Sequence, residues 1–194
     1  MNNHMRVVLV VCFAALLSAP TLAQTAVPSP PMPADNGPSL AVTLNFIQDK
    51  ISEVGKLNYV AYSHDNIANT DSTNQFTVEV SNVAAHPDAC VLSYHIKATR
   101  DGAITNNADG GFPFNLIQKV MVMTGDQDIN AANVAAGAPS LNSRVDPPHF
   151  ALIAQRKGGA TNTVYFADED TANRVAKAMI HAVELCGGGN KDPF

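Results

Sequence analysis

The stretch NTVYFADEDTANRVAKAMIHAVELCGGG, residues 162–189, changes its period halfway along, and that change decides the fold. Residues 162–167 form a short alternating run, the pattern of a strand. Asp168 then supplies a carboxylate able to accept from the free N–H groups of a first helical turn, and Glu169 and Asp170 add charge at the positive end of the helix dipole. Ala172, Ala176, Met179, Val183 and Cys186 recur on one stripe, while Asn173, Lys177, His181 and Glu184 fall on the other side. Gly187 closes the helix, since it enters the left-handed region without a Cβ penalty. The spacing therefore predicts a strand that runs into a long terminal helix, with Cys186 turned toward a core.

The same periods organise the chain upstream. Ser39 caps a helix whose Leu40, Leu44, Ile47, Ile51 and Val54 form one stripe, closed by Gly55. KLNYVAYS (56–63), QFTVEVSNVA (75–84) and ACVLSYHIKAT (89–99) read as strands. In the last of these, Cys90, Leu92, Tyr94 and Ile96 share a face opposite Ser93, His95 and Lys97. A loop containing Asp109, Gly110 and Gly111 precedes the strand NLIQKVMVMT (115–124). HFALIAQ (149–155) and NTVYFA are joined by RKGGA, a hairpin link. Ahead of HFALIAQ, INAANVA (129–135) reads as a weak edge strand. GAPSLNSRVDPPH (137–149) reads as loop, because Pro147 and Pro148 cannot donate to a ladder.

Residues 1–23 read as a signal peptide: Arg6, the apolar VVLVVCFAALLSA, and small residues Thr21 and Ala23 before Gln24. The expected location is periplasmic or secreted, with no transmembrane anchor in the mature chain. Residues 24–38 hold five prolines and read as a flexible linker, followed by one domain over 39–189 and a tail at 190–194. A net charge of −5, with no cluster of Lys and Arg beyond Arg156-Lys157, argues against nucleic acid. Beyond the leader two cysteines remain, Cys90 and Cys186, and an even count in an exported chain fits one disulfide; two separately buried thiols are the alternative.

An opening helix, a series of antiparallel strands and one long closing helix resemble the pleckstrin-homology-like superfold of uncharacterised exported bacterial proteins. The resemblance rests on LNFIQDKISEVGKLNYV (44–60) and VYFADEDTANRVAKAMIHAVELCGG (164–188), and with the strands between them it spans 39–189. It implies an α+β fold: an antiparallel barrel or strongly bent sheet with the last helix packed on one end. A helix across that opening would bring Cys186 to Cys90. Members that bind phosphoinositides carry basic residues around the loop between their first two strands. Here that stretch is HDNIANTDSTNQ (64–75), with two aspartates and no Lys or Arg, which argues against that ligand.

Motifs of chemistry are sparse. Asp126, Asp128 and Asn130 have the spacing of the first ligands of a calcium loop, yet Ala131 and Gly137 occupy the positions that demand Gly and Glu, so the segment reads as a solvated turn. His64, His86, His95, His149 and His181 include no His-Glu-x-x-His pattern, and no metal is expected. Gly-x-Ser-x-Gly and phosphate-cradling loops are lacking, and no cofactor is expected. Loops at the open end of a barrel would bring His64, Asp65, Asp109 and His149 to a rim, where a ligand could bind. The composition thus points to a non-enzymatic accessory module that binds an envelope protein or a small ligand. The alternative is a hydrolase-type enzyme whose site is assembled from loops.

Overall fold

The computed structural model describes residues 37–189; the expected leader, all but the last two linker residues and the tail lie outside them. Helix α1 (Leu40–Val54) starts where the Ser39 Oγ accepts from the Val42 N–H at 3.4 Å, and its stripe places Leu44, Ile47 and Ile51 fully inside. Four strands follow: β1 (Lys56–Asp65), β2 (Thr70–His86), β3 (Val91–Arg100) and β4 (Ala103–Pro113). Then come β5 (Ile117–Thr124), α2 (Gly125–Ala135), β6 (Leu141–Asp146), β7 (Phe150–Arg156), β8 (Thr161–Phe166) and α3 (Glu169–Leu185). The chain is α+β, with two antiparallel sheets in the orders β4-β3-β2-β1-β6 and β5-β7-β8. No ladder joins them, so the described strands do not close into a barrel.

The core lies where the two helices meet both sheets. The larger sheet contributes Val80, Leu92 and Phe112, the smaller one Leu152, Val164 and Phe166, and α3 adds Val175, Met179 and Val183. Each such side chain contributes about 1.5–3 kcal/mol by leaving water. The carboxylate of Asp168 caps α3 through the Thr171 N–H at 2.8 Å. At the other end Gly187 takes φ 71°, which lets its own N–H and that of Gly188 bond back to Glu184 and Val183. Cys186 sits at this C-terminus and is disulfide-bonded to Cys90, with Cα atoms 5.8 Å apart across 96 positions of sequence. Cys90 occupies a left-handed turn immediately before β3 and is not the strand's first residue.

Four segments differ from their sequence reading. Residues 64–75 are mostly hairpin: β1 runs to Asp65 and β2 begins at Thr70, with a tight turn fixed by the Asp65 carboxylate on the N–H groups of Ile67 and Ala68. The stretch around Asp109–Gly111 is strand β4, which pairs with β3 from end to end. Its polar residues carry little strand signal, and pairing with β3 overrides them. Residues 125–135 form a helix and not a turn or edge strand, because Thr124 and Gln127 make a reciprocal capping box. Residues 141–146 form β6, paired with β1, and the two prolines end the strand instead of preventing it.

Helix α2 explains the spacing of Asp126, Asp128 and Asn130. Asn130 holds the outer edge of β6 at both backbone groups of Ser143, accepting from its N–H at 2.8 Å and donating to its C=O at 2.7 Å. Asp126 accepts from the Val145 N–H at 2.7 Å, and Asp128 accepts from Tyr165. Asn130 and Asp126 thus occupy hydrogen-bonding positions on β6 that a neighbouring strand would otherwise fill. Among the described residues, no helix is long and apolar enough to cross a membrane.

Candidate ligand-binding cleft

The two faces of the five-stranded sheet carry different chemistry. On the outer face Tyr62, His64, Asp71, Thr73, Asn142 and Arg144 surround an open hollow of about 490 Å³. Its one large ring, Tyr62, is covered by the Arg144 guanidinium at 4.6 Å. The inner face is closed by the core at one end only. At the other end Phe76, Ile96 and Ala98 remain half-buried and floor a cleft of about 420 Å³ between the sheets.

Each wall of this cleft comes from a defined element. Strand β1 gives Tyr59, whose ring stacks on Phe76 at 5.0 Å and 12°. From β3 come Tyr94, Ile96 and Ala98, from β4 Thr105, Asn106, Ala108, Asp109 and Gly110, and from β8 Thr161, Asn162, Thr163 and Tyr165. Glycine is needed at 110, where a Cβ would lie 2.8 Å from the Tyr94 ring. The polar handles lie at the Tyr94 end. Asn162 Nδ2 donates to the Tyr94 hydroxyl at 3.4 Å, while Asn162 Oδ1 is buried without a hydrogen-bond partner. Burial raises the Tyr94 phenol above its ordinary value, so it remains a neutral donor and acceptor at physiological pH. An aromatic floor with a few fixed polar groups is the composition of a small-ligand site.

Beneath the Tyr59 end lies a second, closed cluster. His149 is 2 % exposed and packs against Tyr59 at 4.4 Å and Tyr165 at 5.5 Å between ring centroids. Its ring lies so close to Gly125 that a Cβ there would be 2.7 Å from it. The Tyr165 hydroxyl donates to Asp128 at 3.2 Å. Burial, reinforced by the Asp128 charge, pushes the Tyr59 phenol up to about 12 and raises that of Tyr165 further. Asp128 is raised by its own burial, against the opposing Tyr165 hydrogen bond and His149. Burial also holds the His149 imidazole below its ordinary value of 6.5, although the Pro147 carbonyl, Asp128 and Asp126 pull the other way.

Unfolded His149 takes up its proton near pH 6.5, whereas folded His149 resists it, so the unfolded state binds more protons just below that pH. His149 therefore costs stability as the pH falls through 6.5. Asp128 acts oppositely and in another window: its raised value makes the folded state lose stability as the pH rises from 3.8. The raised His95 acts with the opposite sign in the same window, so the comparison with a variant isolates His149: in urea denaturation from pH 7.5 to 5.5 the wild type should lose stability relative to His149→Phe. An equal change in both proteins would assign the slope to other groups.

Of the residues expected at a rim, only Asp109 borders the cleft, and its carboxylate turns to the outer face to pair with His95 Nδ1 at 2.8 Å. That contact is the main reason the His95 imidazole is raised. His64 pairs with Asp71 at 2.9 Å on the outer face, three strands away from Asp109, or roughly 14 Å at the usual strand spacing. Asp65 caps its turn, and the Ile67 and Ala68 N–H groups hold it below the usual carboxylate range. His149 is a packed interior ring and not a loop residue at a surface. The structure thus does not bring the four together. The cleft's own residues are inward strand positions, and the signal for them is aromatic Tyr59, Phe76 and Tyr94 interleaved with the small Ala98, Ala108 and Gly110. Comparison with family models, with curated proteins and with solved structures returns no match.

Proposed function

We propose that this chain is an exported accessory module of the cell envelope that holds an uncharged, partly apolar ligand in the cleft between its sheets without transforming it. The observation that carries this reading is the uncovered end of the inner face, where Phe76, Ile96 and Ala98 stay half-exposed beside the unpartnered Asn162 oxygen. Apolar surface left open next to fixed polar groups favours a bound molecule. Binding is favoured over hydrolysis because the nearby titratable groups are engaged with one another. His149 is buried and Asp128 receives the Tyr165 hydrogen bond, and neither lines the cleft. The disulfide suits an oxidising compartment, in keeping with the signal-like first 23 residues. Under this reading the two sheets and the terminal helix form an opened relative of the pleckstrin-homology-like barrel, with the opening used as the site. The 64–75 stretch, with two aspartates and no Lys or Arg, leaves phosphoinositides outside the ligand class.

Fluorescence tests this directly, because the chain has no Trp and four Tyr, of which Tyr59, Tyr94 and Tyr165 line the cleft. Titration of the mature protein with a library of neutral aromatic fragments should give saturable changes in tyrosine emission for a subset of them. Ala98→Glu, which places a charge on the floor outside the closed core, should weaken those fragments at least tenfold. Equal affinity in Ala98→Glu would remove the cleft from the proposal.

A further inference from the structure

The way the cleft is lined distinguishes a sheet face from a sheet edge. β2 and β3 contribute alternate residues, Phe76 and Val78, then Tyr94, Ile96 and Ala98, as a face must. β8 instead contributes the consecutive residues Thr161, Asn162 and Thr163, and β4 contributes Ala108, Asp109 and Gly110. Consecutive side chains point to opposite sides of a strand, so these walls are backbone edges. Both strands are terminal in their sheets, so one flank of each lacks a ladder partner.

The other two terminal strands are obstructed, β6 along its edge and β5 at its start, where its register with β7 also shifts beside Lys119. β6 is blocked by Asn130 and Asp126 of α2, and the start of β5 is met by Gly189, whose N–H donates to the Ile117 carbonyl at 2.8 Å. β4 is blunted by other means: its register with β3 shifts between Ala98 and Thr99, and it carries Asp109 and a run of exposed polar residues. Strand β8 has none of these devices. Its register with β7 is unbroken, and TNTVYF contains no charge and no proline. The edge that lacks protection is the one that faces the aromatic floor.

The geometry points to an extended peptide as the ligand, added as a fourth strand along β8 with alternate side chains laid on Phe76 and Ile96. This inference rests on the cleft reading above and names its ligand class. Main-chain pairing at a free edge gives affinity, and pockets for alternate side chains give selectivity. The only charged side chain lining the cleft, Asp109, is paired with His95, so an uncharged segment complements it. β8 spans six residues, which sets a strand of the same length, about 20 Å. The chain's own 24–38 segment is a poor occupant, because its five prolines lack the N–H groups that a ladder needs.

The probe is a combinatorial library of N-acetylated, C-amidated hexapeptides, screened against the mature, oxidised protein by tyrosine emission. The best binder is then N-methylated at one amide at a time, which deletes an N–H while keeping every side chain. The expected result is at least a tenfold loss at alternate positions only, with binding slowing amide exchange within residues 161–165. Ala98→Glu should weaken the unmethylated peptide by a similar factor. Indifference to methylation at every position overturns the strand assignment, as does protection confined to residues 105–110. Fragments that bind while no hexapeptide does would reject the peptide class and leave the cleft standing; failure of both would reject the cleft itself.

Discussion

Replacing both cysteines, as Cys90→Ala with Cys186→Ala, is expected to lower the melting temperature of the oxidised protein by on the order of 10 °C. The bond closes a span of 96 positions, and the chain-entropy relation gives about 4–5 kcal/mol for such a loop, an upper figure because residual structure in the unfolded chain reduces it. That is comparable to the whole net stability of many small domains. The effect should be uneven along the chain. Cys186 is at the last turn of α3, and beyond it, among the described residues, the N–H groups of Gly187, Gly188 and Gly189 tie the segment back to Glu184, Val183 and Ile117. Loss of the bond should speed amide exchange at the C-terminal turns of α3 before it does so in α1. Thermal melting by circular dichroism with exchange mass spectrometry measures both. A shift under about 2 °C, or quantitative alkylation of both cysteines in denatured, unreduced wild type, would contradict the linkage.

Asn130→Ala should be the most damaging single change in α2, costing about 2–4 kcal/mol, since it strips the partly buried Ser143 N–H and C=O of their partners. The same amide also donates to the Asp126 carbonyl at 2.7 Å, so the helix loosens at its first turn. An uncovered β6 edge can template pairing with another chain, so the variant should also self-associate. Val134→Ala, on an exposed position of the same helix, serves as the control and should cost little. Urea denaturation reads the first effect and light scattering the second. A stability loss below 0.5 kcal/mol (on the order of a surface change) would show that α2 does not hold the edge.

These contacts also show why parts of the fold were legible in the sequence and others were not. Ser39, Asp168 and Gly187 mark helix ends by local chemistry, and the Leu44-Ile47-Ile51 and Met179-Val183 stripes mark buried faces, so both long helices could be read directly. The inward set of β3 could be read for the same reason. Strand β4 could not, because Asn106, Asn107, Asp109 and Gly110 are poor strand formers whose conformation is imposed by β3. Helix α2 carries a visible capping box at Thr124 and Gln127, but the alternating acids Asp126 and Asp128 imitate a cation loop and draw attention away from it. β6 is short and runs into Pro147, which hides a strand that only its pairing with β1 reveals.

The candidate site was the least legible feature. His149 shows no apolar stripe of its own, and its burial arises from packing between Tyr59 on one sheet and Tyr165 on the other. The cleft likewise depends on how the two sheets diverge beyond the core, which no local pattern encodes. Single residues with chemical potential, such as His64 and Asp109, stand out in a sequence more than the Ala and Gly positions that create space. In the structure each is paired with a residue of the neighbouring strand on the exposed outer face, His64 with Asp71 and Asp109 with His95.

Amide-resolved NMR of the oxidised protein over residues 24–194, titrated with the neutral fragments that alter tyrosine emission, places the ligand most directly. Perturbations should concentrate at Tyr59, Phe76, Ile96, Thr105–Gly110 and Thr161–Tyr165. Perturbations centred instead on Tyr62, His64, Asp71 and Arg144, around the outer hollow, would contradict the assignment of the inter-sheet cleft as the binding site.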